Sequence, residues 1–371
     1  MTSGQQDIAG HLDRHLTTEL GRLFAATLGG VVLIYLVIDF ADRAHTYTGR
    51  AWGWAAAELY ANKAAVVSYQ LAPVALIIAT SLLVTLLSRR GELTALFALG
   101  VRPLRLLAPI AAFAAVLGLV LFWLCELVVV GADARAEEIQ VKRFNRWGDW
   151  ATYHAGSSWL RGKFGRIYHL GPVRDGGWEP ATVLEIAPPF RLSRRIDARR
   201  IEPAGPGRWR FLEAVETRYE LYGGPGGTIS ERRVDVLIEL FPETPADLEL
   251  RSGRPRQLPW RQLREQLRRR EKGGQRAREY EAALAERAAT PVHVIPAALA
   301  AFGLTLKLQR PRRRLPLAGA VALGMGLSMV LWAASVIAHA IAVSGALEPW
   351  TAAAIPGLAS ALIAALTLWR A

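Results

Sequence analysis

The chain has 371 residues, is 52% apolar and carries a formal net charge of +13, from 45 Lys and Arg against 32 Asp and Glu. Its one cysteine, Cys125, excludes an intrachain disulfide and a cysteine metal cluster. The basic residues are spread over loops and a whole domain, with no zinc-finger or aromatic ribonucleoprotein spacing, so anionic lipid rather than nucleic acid is the expected partner of that charge.

Residues 1–20 are polar and carry no signal-peptide cleavage pattern, so the first apolar run is expected to act as its own insertion signal. That run, residues 23–40, is close to the ~20 residues a bilayer needs. Arg14 and Arg22 precede it, which places the N-terminus inside. Residues 41–62 read as an outer loop with Trp52, Trp54 and Tyr60 as interfacial aromatics. Residues 64–87 form the second span, with Pro73 tolerated inside it.

The stretch 88–109 lies between two spans and carries Arg89, Arg90, Arg102 and Arg105, so it is cytoplasmic. Leu93, Leu96, Phe97 and Val101 recur at helical spacing, Glu92 suits a first turn, and Gly100 and Pro103 are stop signals. A short amphipathic helix over about residues 89–101 is expected. It either fills a groove on a soluble partner or rests on lipid headgroups, and the residue pattern alone does not choose. Residues 106–130 form the third span, with Trp123 and Glu126 toward its outer end.

From about residue 133 to 289 no apolar run is long enough to cross a membrane. Segments 166–170, 182–186, 208–220 and 234–240 alternate instead, divided by turn clusters at Asp175-Gly176-Gly177, 203–207 and 223–227. In the last segment Val234, Val236, Ile238 and Leu240 are expected to face a core, with Asp235, Leu237 and Glu239 pointing away. The pattern predicts a β-sandwich or jellyroll placed outside by the three spans before it. Residues 258–287 read as a polar helical return, broken at Gly273-Gly274. The fourth span is 291–306 with Pro296 inside it, followed by Lys307, Arg310, Arg312, Arg313 and Arg314, the strongest inside signal of the chain. The fifth is 317–343, interrupted by Gly319, Gly324 and Gly326, and the sixth is 351–369, ending at Arg370. The fold class is a membrane protein of α plus β type, three helices and three helices around an inserted sheet. The domains are residues 1–131, a jellyroll over 132–257, a helical connector over 258–290, and residues 291–371.

No catalytic residue, metal or cofactor is assigned. There is no GxxxxGK[ST] loop, since Gly162-Lys163 continues with Phe164, and there is no HExxH or GxSxG. His11 and His15 stand four apart without a third ligand and read as an amphipathic helix end. His293 and His339 lie within spans, each alone in sequence, and packing roles are favoured. Arg43, Arg50 and Lys63 near one membrane surface suit an anionic headgroup, against the plainer reading of snorkelling and local ion pairs. Few ionisable groups lie at mid-depth, which argues against an ion channel or proton pump and for an apolar or amphipathic substrate.

These residues resemble the LptF/LptG (YjgP/YjgQ) permeases of lipopolysaccharide export, over nearly the whole chain. The run Gly91-Glu92-Leu93-Thr94-Ala95-Leu96-Phe97-Ala98-Leu99-Gly100-Val101 is similar to that family's coupling helix. Trp159-Leu160-Arg161 before Arg166-Ile167-Tyr168 is similar to the start of its jellyroll, Arg195 to Arg218 with Ile196, Ala198 and Trp209 to a further residue pattern of the family, and Tyr280, Leu284, Arg287 and Pro291 to its lead-in to the fourth span. Phe97 stands where the family often has arginine, and Val130 where proline commonly ends the third span.

The resemblance implies an inner-membrane, multi-pass permease with cytoplasmic termini and a periplasmic jellyroll. Its partners would be a cytoplasmic LptB-like ATPase dimer, a second LptF/LptG-type permease, LptC- and LptA-like bridge proteins, and lipopolysaccharide. It also implies that Glu92 pairs with a basic group on the ATPase while Leu93, Leu96 and Phe97 fill its groove, the helix closing at Gly100. Rival readings are a permease of another ATPase-driven lipid or lipoprotein transporter, and a membrane-anchored lipid-modifying enzyme. The enzyme reading has only Asp149, His154 and His169 to offer.

Overall fold

Six helices among the described residues are long and apolar enough to cross a bilayer. The structure, a computed structural model, describes residues 3–47, 52–144, 158–162, 164–220, 228–248, 255–272, 277–309 and 315–369. Arg50, Asp149, His154, the 223–227 turn, Gly273, Gly274, Arg310, Arg312, Arg313, Arg314 and Arg370 lie outside the described residues. The chain divides into two compact units, Met1–Arg146 with Arg278–Ala371, and Trp147–Ala277.

The first unit is helical. Helix α1 (Ser3–Arg43) has 41 residues. At ~1.5 Å per residue it is about twice as long as the hydrocarbon core is thick. The excess lies at its N-terminal end, where Leu12, Leu16 and Leu20 recur every four residues and pack into the unit's main core. Helix α2 (Trp52–Arg89) begins earlier than hydropathy suggested. The expected outer loop over 41–62 is therefore corrected: Trp52, Trp54 and Tyr60 are helical. Buried Ala56 and Leu59 pack there with Tyr47 and with Ala136, Ile139 and Phe144. The third span is α4 (Leu107–Leu124), a π-helical turn (Cys125–Val129) and α5 (Val130–Phe144). It too outruns its apolar stretch, because Ala132, Ala136 and Ile139 continue the buried stripe. Between α2 and α4 lies the short α3 (Glu92–Ala98).

The second half of this unit comprises α7 (Arg278–Leu308), α8 (Leu317–Ser344) and α9 (Pro349–Leu368). Backbones approach closely where side chains vanish. A Cβ on Gly324 of α8 would come within 2.8 Å of the Ile78 Cα on α2, whereas one on Gly326 would meet nothing. Of the fifth-span glycines, Gly324 is thus the one used for helix packing across to α2.

Among the described residues the second unit is an eight-stranded antiparallel sheet followed by helix α6 (Trp260–Lys272). The strands are β1 (Ser158–Arg161), β2 (Arg166–Leu170), β3 (Val173–Arg174), β4 (Gly177–Trp178), β5 (Ala181–Ala187), β6 (Arg191–Gly205), β7 (Arg208–Glu220) and β8 (Thr228–Leu240). They pair in the order β1-β2-β5-β6, after which β6 meets β4 and β3 at one side and β7 then β8 at the other. The β3–β4 hairpin turns on Asp175 and Gly176, both with positive φ (46° and 77°), as a two-residue primed turn demands. Tyr168, Leu170, Trp178, Val183, Ile196, Ile201, Trp209 and Phe211 form the core.

The alternation of β7 reverses midway. Trp209 and Phe211 are buried, then Ala214 and Glu216, and the reversal falls at Glu213, whose φ is +52°. The facing of β8 is a correction from Val236 onward, whereas Val234, opposite the buried Ala214, lies on the core side as expected. Leu237 and Glu239 stand opposite Phe211 and Trp209 and so share the core side, while Val236, Ile238 and Leu240 are exposed on the other. The register with β7, not the strand's own apolar count, decides its inner face.

Candidate coupling surface and polar sites in the membrane unit

Helix α3 is bounded by backbone signals at both ends. Gly91 takes the left-handed conformation (φ 79°) before it. At the other end Gly100 is left-handed as well, its N–H donating to the Phe97 carbonyl while the Val101 N–H donates to Leu96, each at 3.0 Å. This is a Schellman closure, with Val101 and Leu96 packed on the same core.

The helix faces two ways. Leu93, only 4% exposed, and the half-buried Leu96 pack into the chain's own core with Leu16, Leu20 and Leu106. Leu93 is thus taken up by its own subunit, while Leu96 is shared between that core and the open face of the helix. Phe97 is exposed, and so are Leu99 and Leu104, neither of which was singled out from the sequence. Their signal was present as apolar residues beside the stop glycine, outside the helical stripe.

Charge surrounds this face. Glu92 Oε2 lies 3.3 Å from His15 Nε2, and Glu92 Oε1 3.8 Å from Arg90 Nη1. Arg90 also pairs with Glu19 at 3.0 Å, and Arg105 with Asp13 at 2.7 Å. The N-terminal part of α1 therefore belongs to the site, a contribution sequence reasoning missed. The spacing of Leu12, Leu16 and Leu20, flanked on the same face by Asp13 and Glu19, carried that information. His15 contacts Glu92, and no group of three His, Cys, Asp or Glu suited to a metal occurs among the described residues.

Three polar sites lie along the spans. Asp39, nearly buried, accepts from Lys63 Nζ at 2.5 Å and from the Tyr60 hydroxyl at 2.8 Å, and pairs with Arg43 at 2.9 Å. Arg43 and Lys63 are thus brought together, two cations about one carboxylate, leaving the trio with one net positive charge. Glu126, on the π-helical turn, pairs at 2.9 Å with Arg287 of α7, which is 8% exposed. His339 Nδ1 lies 2.6 Å from Glu286 Oε1. His293 has no such partner; its ring rests against Gly357.

In the sheet unit charges form a row across the strands. Arg166 pairs with Glu185 at 2.9 Å, and Arg194 reaches Glu185, Glu216 and Glu239 at 3.9, 2.7 and 2.5 Å. Burial alone would raise the Glu216 carboxyl, but Arg218 and Arg194 hold it below the usual carboxylate range. Tyr168 donates to Glu243 at 2.8 Å; burial first and that carboxylate second push its hydroxyl far above the usual phenol range.

Three long apolar helical spans on each side of an inserted antiparallel sheet define a multi-pass membrane protein with a strand-built domain. The chain belongs to the LptF/LptG family: the family described as lipopolysaccharide export system permease LptF/LptG matches it over residues 14–370. No curated protein matches it individually. It is a transmembrane permease of lipopolysaccharide export, a transporter rather than an enzyme.

Proposed function

We propose that the chain is one permease subunit of an ATP-driven complex that extracts lipopolysaccharide from the inner membrane and passes it through the sheet domain to a periplasmic bridge. The observation that carries this reading is the exposed face of α3, with Glu92, Phe97 and Leu99 presented in a basic loop between two spans. Extracting a lipid with several acyl chains costs ~0.8 kcal/mol per methylene, and the sequence holds no nucleotide-binding loop, so the energy must come from a partner. In this reading an LptB-like ATPase dimer receives Phe97 and Leu99 in a groove and pairs with Glu92. Leu93, Leu96 and Gly100 fix the helix to its own subunit. The termini and α3 are cytoplasmic and the sheet domain periplasmic.

A second LptF/LptG-type permease completes the substrate cavity, which the uncovered faces of α1 and α8 suit: Leu33, Ile34, Val37 and Ile38 on one, Met329, Trp332 and Ile337 on the other, are exposed. The net positive trio of Asp39, Arg43 and Lys63 attracts a lipid phosphate, with Arg50 assigned to the same role. LptC- and LptA-like bridge proteins receive the lipid at the free edge of β8.

Glu92→Arg tests the coupling role. Glu92 is solvent-accessible, so its own fold changes little. Losing a charge-assisted contact of about 1.5–3 kcal/mol weakens ATPase association about tenfold or more and stops transport. Normal ATPase pull-down with normal lipid release from the variant would overturn it.

A further inference from the structure

Among the described residues, a cleft of about 190 Å³ opens between α2, α7, α8 and α9. Gln70 and His293, both lining it, lie toward the outer ends of the apolar stretches 64–87 and 291–306.

The hydroxyls at this cleft already spend their protons inside the helices. Ser335 donates to the Leu331 carbonyl at 3.0 Å, and Thr290 to the Glu286 carbonyl at 2.8 Å. Gln70 and His293 differ: among the described residues neither has a hydrogen bond or ion pair. An amide carries two donors and an acceptor, and an imidazole adds more. Where lipid rather than water fills the cleft, such groups have no partner to turn to, which favours a ligand that offers one. Pro73 and Pro356 also line the cleft, and each lacks the N–H that would bind the carbonyl four residues before it. No Asp, Glu, Lys or Arg lines the cleft, and its remaining walls are apolar, with Trp332 exposed at its rim.

We propose that this cleft binds the neutral hydrogen-bonding head of a single-chain amphiphile, a hydroxyl- or ester-bearing lipid entering sideways from the bilayer. The lack of a lining cation argues against phosphate heads, whose charge would be buried unpaired. Gly357 is part of the design. A Cβ there would come within 2.5 Å of the His293 ring, so a larger residue would push the imidazole away from its place against α9. This inference does not rest on lipopolysaccharide transport, and its readout needs neither ATPase nor lipopolysaccharide.

The test is photolabelling of the full-length protein in phosphatidylcholine nanodiscs with a diazirine-bearing monoacylglycerol, followed by peptide mapping. Saturable labelling is expected on peptides holding residues 70–77, 290–297 and 328–335. Unlabelled monoacylglycerol should compete and lysophosphatidate should not. Gln70→Leu removes about one hydrogen bond and should weaken labelling about fivefold. His293→Phe should do the same and His293→Asn, which keeps a donor and an acceptor, should restore it. Gln70 is exposed at the cleft, so its variant tests the site even where His293 variants fail to fold. Non-saturable labelling, equal competition by lysophosphatidate, or unchanged labelling of Gln70→Leu would each overturn the proposal.

Discussion

The helical unit and the sheet unit treat charge differently. Along the spans, charges are matched in small local groups, Asp39 by Arg43 and Lys63, Glu126 by Arg287. In the sheet they run on, from Arg166 through Glu185 and Arg194 to Glu216 and Glu239, with Arg218 also touching Glu216. The surrounding solvent accounts for this. A charge near the outer end of a span has less water to fall back on, so it is held by close partners. A charge on a half-solvated sheet can share several.

The contrast is broken most directly by removing one cation from each unit. Arg287→Met removes the 2.9 Å partner of Glu126 and should cost about 3–5 kcal/mol, with Arg287→Met/Glu126→Leu recovering most of it. Arg194→Met should cost less, about 2 kcal/mol, because Glu216 keeps Arg218 at 2.6 Å. Thermal unfolding of the purified full-length variants reads both. Equal losses would show that the helical pair is no more isolated than the sheet row.

A smaller effect separates the glycines of α8. Gly324→Leu forces a side chain onto the α2 backbone and should cost about 1–3 kcal/mol, whereas Gly326→Leu, with nothing near its Cβ position, should be tolerated. Thermal melts of the two variants check this, and similar midpoints would remove Gly324 from the helix contact.

The spans were legible because hydropathy over about 20 residues is a coarse, additive signal. Their ends were not. Residues such as Leu12, Leu16, Ala136 and Ile139 are buried one face at a time among polar neighbours, so a window average hides them. Strand β6 escaped the alternation search because Arg191, Arg194, Arg195, Arg199 and Arg200 fill it. At the coupling surface, Glu92 and the closing Gly100 were readable from local chemistry. Which leucines face inward was not, since that depends on α1, distant in sequence.

Strand β8 carries the finest form of the same lesson, because two neighbouring residues should behave oppositely. Leu237 packs against the sheet core, whereas Ile238 is exposed. Leu237→Asp places an unmatched carboxylate against Phe211 and should cost about 2–3 kcal/mol. Ile238→Asp should change stability by no more than about 0.5 kcal/mol. Protease resistance of the sheet unit within the intact protein distinguishes the two. If Ile238→Asp is cleaved as readily as Leu237→Asp, the facing derived from the pairing with β7 is wrong. If it stays resistant, the apolar row of Val236, Ile238 and Leu240 is a surface the fold does not need, kept beside an edge that another strand can join.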